Sequence, residues 1–338
     1  MNELKRDWSK KTILVTGGSG SFGQEFVSHL QNNHPPKKLI IFSRDEQKQF
    51  DMAKLFAQEN IKFVLGDIRD KDCLKRACRG VDIIVHAAAI KHVSSAEYNP
   101  FEAVKTNVLG AQNIIDAAVE EGVEKVVALS TDKAVNPVNL YGATKLCADK
   151  IFIAGNAYAE RVTQFSVVRY GNVIGSRGSV VTIFIEKRKS GVLPVTHEKM
   201  TRFWITLRQS VDFVLKSIKQ MQGGEIFVPK IPSMKVVDLA QAFAPECKIE
   251  IIGVRPGEKL HEVLLSEYDS RNAFEFEDYF VIVPDFDWYE SNVWATGRKL
   301  PEGFSYTSDT NKVWLVVDVM RQLLKEENIS GNGPELDS

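Results

Sequence analysis

The amino-acid sequence predicts an α/β fold: a doubly wound parallel sheet with a smaller, interleaved α/β domain. Three observations predict it. Short apolar, β-branched runs alternate with helical patterns through the first half of the chain, and a glycine-rich turn joins the first run to the first helix. Glycine and proline crowd the second half, where the alternation breaks.

Strands buried on both faces read as unbroken apolar runs because helices cover each side of the sheet. Such runs occur at 12–16, 38–42, 61–65, 81–86, 125–129 and 165–169. Between them, 22–31, 106–121 and 144–159 carry the apolar period of helices, and right-handed crossovers fix their order in space. After Tyr170, Gly171, Gly175, Gly178 and Gly191 interrupt the pattern, and Pro194, Pro229, Pro232, Pro245 and Pro256 follow. Residues 1–171 are therefore assigned to a dinucleotide-binding domain of Rossmann type. A return to it is expected around 205–230, where 210–220 reads as a helix and 225–228 as a short strand. Residues 172–204 and 231–330 are assigned to a second, substrate-binding domain, and 331–338 to a polar tail.

The chain has 338 residues, 44% of them hydrophobic, enough for a core in each domain. Its 43 basic and 44 acidic residues leave a formal charge of -1, so no global field draws nucleic acid or an anionic membrane, and any anion must be held locally. Four cysteines fall in no paired ligand spacing, so no metal site is expected. No export segment or apolar run of membrane-spanning length is apparent, which makes the reducing cytoplasm the expected compartment.

The first strand runs into Thr16-Gly17-Gly18-Ser19-Gly20-Ser21-Phe22-Gly23. This spacing lets the backbone turn tightly and approach a pyrophosphate at the N-terminus of the next helix. A glycine-rich turn without a ligand is the plain alternative, but a strand before and a helix after favour dinucleotide binding. The second strand ends at Ser43-Arg44 where an acidic residue would grip the adenosine ribose of NAD. A guanidinium suits the 2′-phosphate of NADP, with Lys48 a further cation nearby, although Asp45 in a shifted register would restore the NAD-type acid. Asp67, beside Ile68, is a candidate partner for the adenine amino group, or an Asx turn. Ala87, Ala88 and Ala89 leave room for the middle of a dinucleotide, and Asn107 reads either as a bridge between backbone groups beside it or as a solvent-facing asparagine. His86 reads as a packed histidine.

The reactive stretch follows the fifth strand: Ser130-Thr131-Asp132-Lys133, then Tyr141-x-x-x-Lys145. On a helix beginning near Tyr141, the phenol and the Lys145 amine share a face, and a close cation would lower the phenol's pKa so that it can deprotonate an alcohol. Thr131 can hydrogen-bond the same oxygen. Asp132 and Lys133 read either as a surface ion pair or, in a closed pocket, as an acid for a leaving hydroxyl and a lysine neutralised by burial that removes a carbon-bound proton. Simple alcohol oxidation needs neither.

These motifs resemble the extended short-chain dehydrogenase/reductase family. Lys91-His92, Ser130-Thr131-Asp132-Lys133, Tyr170-Gly171-Asn172-Val173, Met200-Thr201-Arg202-Phe203 and Arg255-Pro256-Gly257-Glu258-Lys259 narrow the resemblance to its inverting UDP-N-acetylglucosamine 4,6-dehydratases, which serve pseudaminic acid biosynthesis. Retaining relatives typically carry Thr-Asp-Glu where this chain has Thr131-Asp132-Lys133. Ser94-Ser95 departs from the proline expected after Val93. The resemblance implies tightly bound NADP, a homo-oligomer, and a UDP-sugar held by Lys91, Asn172, Arg177, Arg202, Arg255 and Glu258 together with Thr131 and Tyr141. Lys91 is also implied beside the cofactor. A sugar-nucleotide 4-epimerase and a non-catalytic NADP-binding module are the competing readings.

Overall fold

The computed structural model describes residues 8–159, 162–176, 178–289, 291–327 and 329. Arg177 and the expected polar tail lie outside the described residues.

Six parallel strands, β1 (Thr12–Thr16), β2 (Lys38–Ser43), β3 (Ile61–Leu65), β4 (Ile83–His86), β5 (Lys125–Thr131) and β6 (Gln164–Tyr170), stand in the order β3-β2-β1-β4-β5-β6. The order reverses between β1 and β4, and a doubly wound sheet opens its binding crevice at the carboxyl ends on either side of such a switch point. β5 outlasts its apolar run because Ser130 and Thr131 pair with Arg169 and Tyr170 of β6. That pairing carries polar side chains to the crevice on a rigid strand.

The helices Ser21–Asn33, Glu46–Leu55, Lys71–Cys78, Gly110–Glu120 and Leu140–Tyr158 connect these strands. The predicted helix 106–121 begins instead as a π-turn, Lys105–Leu109, that buries Thr106 and Asn107. Among the described residues no helix is long and apolar enough to cross a membrane.

In the second half come β7 (Asn172–Val173), β8 (Val192–Val195), β9 (Thr201–Ile205), β10 (Ile226–Pro229), β11 (Ser233–Lys235), β12 (Lys248–Ile251), β13 (Val263–Leu265), β14 (Ala273–Glu275), β15 (Tyr279–Ile282), β16 (Arg298–Lys299) and β17 (Tyr306–Thr307). The helix Leu207–Gln220, started by a reciprocal Thr206–Gln209 capping box, packs against Ser21–Asn33 and leads into β10, which pairs in parallel with β6.

One boundary differs from the sequence expectation. Residues 273–299 were assigned to the second domain, yet β15, β14 and β16 add antiparallel strands beyond β10 and complete a ten-stranded sheet. Without them β10 would present an open edge of unpaired backbone groups. The small sheet β11-β9-β7, the β12-β8 pair and the helices Val180–Arg188, Val236–Phe243 and Val317–Glu326 gather around a second core of Phe184, Trp204, Met234, Leu239 and Met320.

Candidate active site

The end of β5 passes directly into a 3-10 turn, Asp132–Ala134, whose start is capped by Thr131 Oγ1 accepting from the Lys133 backbone N–H. A short loop, with Asn136 at φ 46°, then reaches Asn139. Asn139 caps the helix Leu140–Tyr158 by accepting from the Gly142 N–H at 2.8 Å. A Cβ on Gly142 would lie 2.1 Å from the Lys133 carbonyl oxygen, so only glycine lets the helix approach this turn so closely. Strand, turn and helix thereby bring Thr131, Asp132, Lys133, Tyr141 and Lys145 to one place.

Asp132 is fully buried. Its Oδ1 accepts from Thr131 Oγ1 and from Lys133 Nζ, each at 2.9 Å, while Oδ2 has no partner in the protein. Burial raises this carboxyl above the ordinary aspartate range, only partly offset by Lys133. Lys133 differs from expectation. Burial alone would lower its pKa, but Asp132 and Glu262 outweigh burial and push the amine above the ordinary lysine range. Glu262 Oε1 lies 3.5 Å from Lys133 Nζ, so the amine sits between two carboxylates and is held charged rather than neutralised.

Tyr141 differs as well. Its hydroxyl hydrogen-bonds Thr131, but burial pushes the phenol up to about 12. Lys145 Nζ donates to the Leu129 carbonyl at 2.7 Å, and burial draws its pKa below the ordinary lysine range against an opposing pull from Asp149. In this geometry the lysine anchors the catalytic helix to β5, and the expected lowering of the phenol does not come from the protein alone. Asp149 in turn accepts from Ser130 Oγ at 2.8 Å and pairs with buried Arg169 at 3.5 Å, so the floor of the site is cross-braced.

The dinucleotide crevice fits the group the sequence implies. Gly17 has φ +66°, and a Cβ there would stand 2.8 Å from the Ala88 nitrogen; one on Gly23 would stand 2.3 Å from the Gly18 carbonyl oxygen. Gly20 caps the helix Ser21–Asn33 without a side chain, which leaves the helix N-terminus with Ser21, Phe22 and Gly23 open to an anion. Ser19 hydroxyl donates to Ser43 at 3.0 Å, and Gln49 donates to both oxygens of Ser43. Asp45 caps the helix Glu46–Leu55 and holds Lys48 Nζ at 2.6 Å. Arg44 remains well exposed, 4.0 Å from Asp67.

Asp67 itself forms the Asx turn, accepting from the Arg69 N–H at 3.0 Å and from the Arg69 guanidinium at 2.9 and 2.6 Å. Ile68 is buried against Gly110. Ala87 and Ala88 are half-buried, Ala89 and Lys91 exposed. Asn107 is a bridge: Oδ1 accepts from the Ile90 N–H at 2.8 Å, while Nδ2 donates to the Ile90 carbonyl and to Thr144. It ties the exit of β4 to the catalytic helix. His86 packs 5.5 Å from Phe152 and bonds Thr16.

On the substrate side, Asn172 Oδ1 and Glu258 Oε2 are buried without a protein partner, as is fitting for groups that meet a ligand. Arg255 is exposed, 3.9 Å from Glu258. Arg202 is largely buried. Its NH1 donates to the carbonyls of Thr201 and Leu260 and its NH2 to that of Lys259, with Nε 3.8 Å from Glu262. Three of its five N–H donors thus reach backbone carbonyls inside the protein.

Sequence reasoning missed Glu262. It stands just past Arg255-Pro256-Gly257-Glu258-Lys259, and no spacing marks it. It also missed that this segment clamps the catalytic loop: Asn139 donates to the Gly257 carbonyl at 2.7 Å and Lys259 Nζ to the Val135 carbonyl.

A switch-point crevice with a glycine cradle and a Tyr-x-x-x-Lys helix beside it defines a dinucleotide-binding enzyme of the short-chain dehydrogenase/reductase class. A family model described as polysaccharide biosynthesis protein matches residues 13–284, and the chain belongs to that family. It is 53% identical over 317 residues to a Campylobacter jejuni (serotype O:2) protein named UDP-N-acetylglucosamine 4,6-dehydratase (inverting), covering 91% of this chain and 95% of the relative. A Rickettsia akari protein named UDP-glucose 4-epimerase is 40% identical over 328 residues, covering 94% and 93%. Among solved structures, Pen from Bacillus thuringiensis superposes with a TM-score of 0.87 at 36% identity, covering 95% of this chain and 99% of that one. DesIV, a dTDP-glucose 4,6-dehydratase from Streptomyces venezuelae with NAD and TYD bound, gives 0.68 at 25% identity, covering 74% and 86%.

Proposed function

We propose that this protein is an NADP-dependent UDP-N-acetylglucosamine 4,6-dehydratase that inverts C5 and yields UDP-2-acetamido-2,6-dideoxy-β-L-arabino-hex-4-ulose. The observation that carries the reading is the Asp132–Lys133 pair beside Tyr141, with Asp132 fully buried and Lys133 half-buried, which alcohol oxidation alone would not require. The inverting dehydratase from Campylobacter jejuni, similar over nearly the whole chain, supports the same substrate. A nicotinamide dinucleotide is supported by the glycine cradle and by DesIV, whose structure holds NAD. NADP is favoured over NAD because Asp45 is committed to a helix cap while Arg44 is exposed.

Bound in the crevice, the dinucleotide supplies hydride acceptance at C4 of the hexose and hydride donation at C6. Tyr141, hydrogen-bonded to Thr131 and as the phenolate that the positive ring of a bound nicotinamide would favour, takes the C4 hydroxyl proton as the ketone forms. The ketone acidifies the neighbouring C5–H. The Lys133 lone pair removes that proton, the C–H electrons become the C5–C6 double bond, and the C6–O bond breaks. Asp132 protonates the departing oxygen, which leaves as water. Return of a proton to the opposite face of C5 inverts that centre, from Tyr141 or Lys133.

The charged state of Lys133 is compatible with this sequence. A carboxylate facing an ammonium holds the same proton as a carboxylic acid facing an amine, and one transfer along the 2.9 Å hydrogen bond interconverts them. The carboxyl proton gained on Asp132 Oδ1 in that transfer is the one passed to the leaving oxygen, while Oδ2 is buried without a hydrogen-bond partner.

The test is mass spectrometry of UDP-N-acetylglucosamine incubated with the protein and NADP. Loss of one water supports dehydration. An isomer of unchanged mass would make the enzyme an epimerase, and no conversion with NADP bound would make it a binding module.

A further inference from the structure

Glu262 lies at the centre of a charge cluster that the mechanism above does not use. It is 2% exposed, on the segment leading into β13. Its Oε1 faces Lys133 Nζ at 3.5 Å and Arg202 Nε at 3.8 Å; its Oε2 faces Lys259 Nζ at 3.8 Å and has no hydrogen-bond partner. Its backbone N–H is fixed by Ser308 Oγ at 2.9 Å. A buried carboxylate with this surround costs desolvation, and a purely structural ion pair would close its hydrogen bonds more tightly.

We propose that Glu262 is a positioning residue for proton transfer at C5, a second seat for the Lys133 ammonium that holds it when Asp132 carries a proton and can no longer do so.

Two requirements of the chemistry make that seat necessary. Asp132 must be a neutral acid to protonate the leaving oxygen, and at that moment it gives Lys133 no negative partner. Lys133 must nevertheless gain a positive charge as it takes the C5 proton. Glu262 changes no bond in this step; it supplies the anion beside the new ammonium. The groups facing Lys133 are Asp132 from its own turn, Tyr141 from the following helix, Arg202 from β9, and Glu262 and Lys259 from the segment before β13. Burial alone would raise the Glu262 carboxyl, but Lys133, Arg202 and Lys259 outweigh it and keep the group ionised. Asp132 is raised by burial and also by Glu262, which favours the protonated acid there. Glu262 thus separates the roles of the adjacent pair.

The same segment carries Arg255 and Glu258, and it is stitched to the catalytic loop through Gly257–Asn139 and Lys259–Val135. A nucleotide gripped at Arg255 and Glu258 would steady the carboxylate that holds Lys133.

This inference rests on the proposed dehydration, and its test separates the two. The pH dependence of dehydration at saturating UDP-N-acetylglucosamine is compared for the wild-type protein, Glu262→Gln, Glu262→Asp and Lys259→Met. Glu262→Gln should lose roughly tenfold or more of the plateau rate and move the limb that reports neutral Lys133 toward lower pH, by about one unit, because the amine loses an anion. Glu262→Asp keeps the charge and should restore the limb. Lys259→Met removes a competing cation and should move it the other way. Affinity for NADP should change less than about twofold throughout, since only Lys133 is reached. A limb unmoved in the foldable variants, Lys259→Met included, overturns the role of Glu262 while leaving dehydration intact. A wild-type protein that dehydrates nothing overturns the functional reading itself.

Discussion

Lys133 Nζ donates to Asp132 Oδ1 at 2.9 Å, while the other oxygen of that buried carboxylate has no hydrogen-bond partner in the protein. One proton is shared between an acid and a base joined by that hydrogen bond. The pair is ready to move it only when a substrate offers a site to each.

Removing the base should separate oxidation from elimination. Lys133→Ala is expected to lower the dehydration rate by about 10²- to 10⁴-fold, the usual worth of a positioned general base, with NADP affinity nearly unchanged. Rapid mixing with quantified product checks it; normal turnover would remove Lys133 from the mechanism.

Removing the acid should leave a different trace. Asp132→Asn retains the amine that reaches C5 but has no proton for the leaving hydroxyl. In heavy water, recovered UDP-N-acetylglucosamine should carry deuterium at C5 without loss of water. No such label should appear with Lys133→Ala, and equal labelling in both variants would show that the two roles are misassigned.

Tyr141→Phe should slow the first oxidation, by roughly 10²-fold or more, seen as delayed absorbance of reduced nicotinamide in a single turnover. Because the phenol stands at about 12 in the protein alone, with burial the main cause, the bound cofactor's positive ring is the remaining source of activation. The tyrosine's titration in the cofactor-loaded protein should accordingly lie below that in the stripped protein.

Arg44→Ala should weaken NADP by roughly tenfold to a hundredfold, the worth of one charged hydrogen bond, and leave NAD affinity unchanged. Equal losses for both dinucleotides in fluorescence titration would place Arg44 away from the 2′-phosphate.

His86 gives a pH prediction for stability. Burial, with Lys145 adding to it, holds its imidazole down to about 3, against 6.5 for a free histidine. The unfolded chain therefore takes up a proton first as pH falls, so this contribution is fully present above about 6.5 and is lost as pH drops toward about 3. Its slope approaches about 1.4 kcal/mol per pH unit. Denaturant midpoints between pH 6 and 5, mostly above carboxylate titration, should fall less steeply in His86→Gln than in the wild-type protein.

The doubly wound half was legible because its inner strands are covered on both faces and so must be apolar, as 13–15 and 39–42 are, while β3 at the edge is partly exposed. β14 and β16 carry too few residues to show any period, and their place in the main sheet depends on the edge of β10, which is visible only once the chain has folded. The chemistry beside β5 was legible for a similar local reason: four successive residues, Ser130 to Lys133, share one strand end. Glu262 and Arg202 were not. Their behaviour comes from partners far away in sequence, Lys133 for one and the carbonyls of Lys259 and Leu260 for the other. Asp67 offered two readings, and the hydrogen bonds to Arg69 realise the turn.

The central claim is that an oxidised hexose loses water through Lys133 and Asp132. Proton NMR of the product formed from UDP-N-acetylglucosamine in heavy water tests it most directly. The predicted spectrum shows a 6-deoxy-4-keto sugar with solvent deuterium at C5 and inverted configuration there. A product that keeps its C6 hydroxyl, or that retains the original C5 hydrogen, would contradict the account.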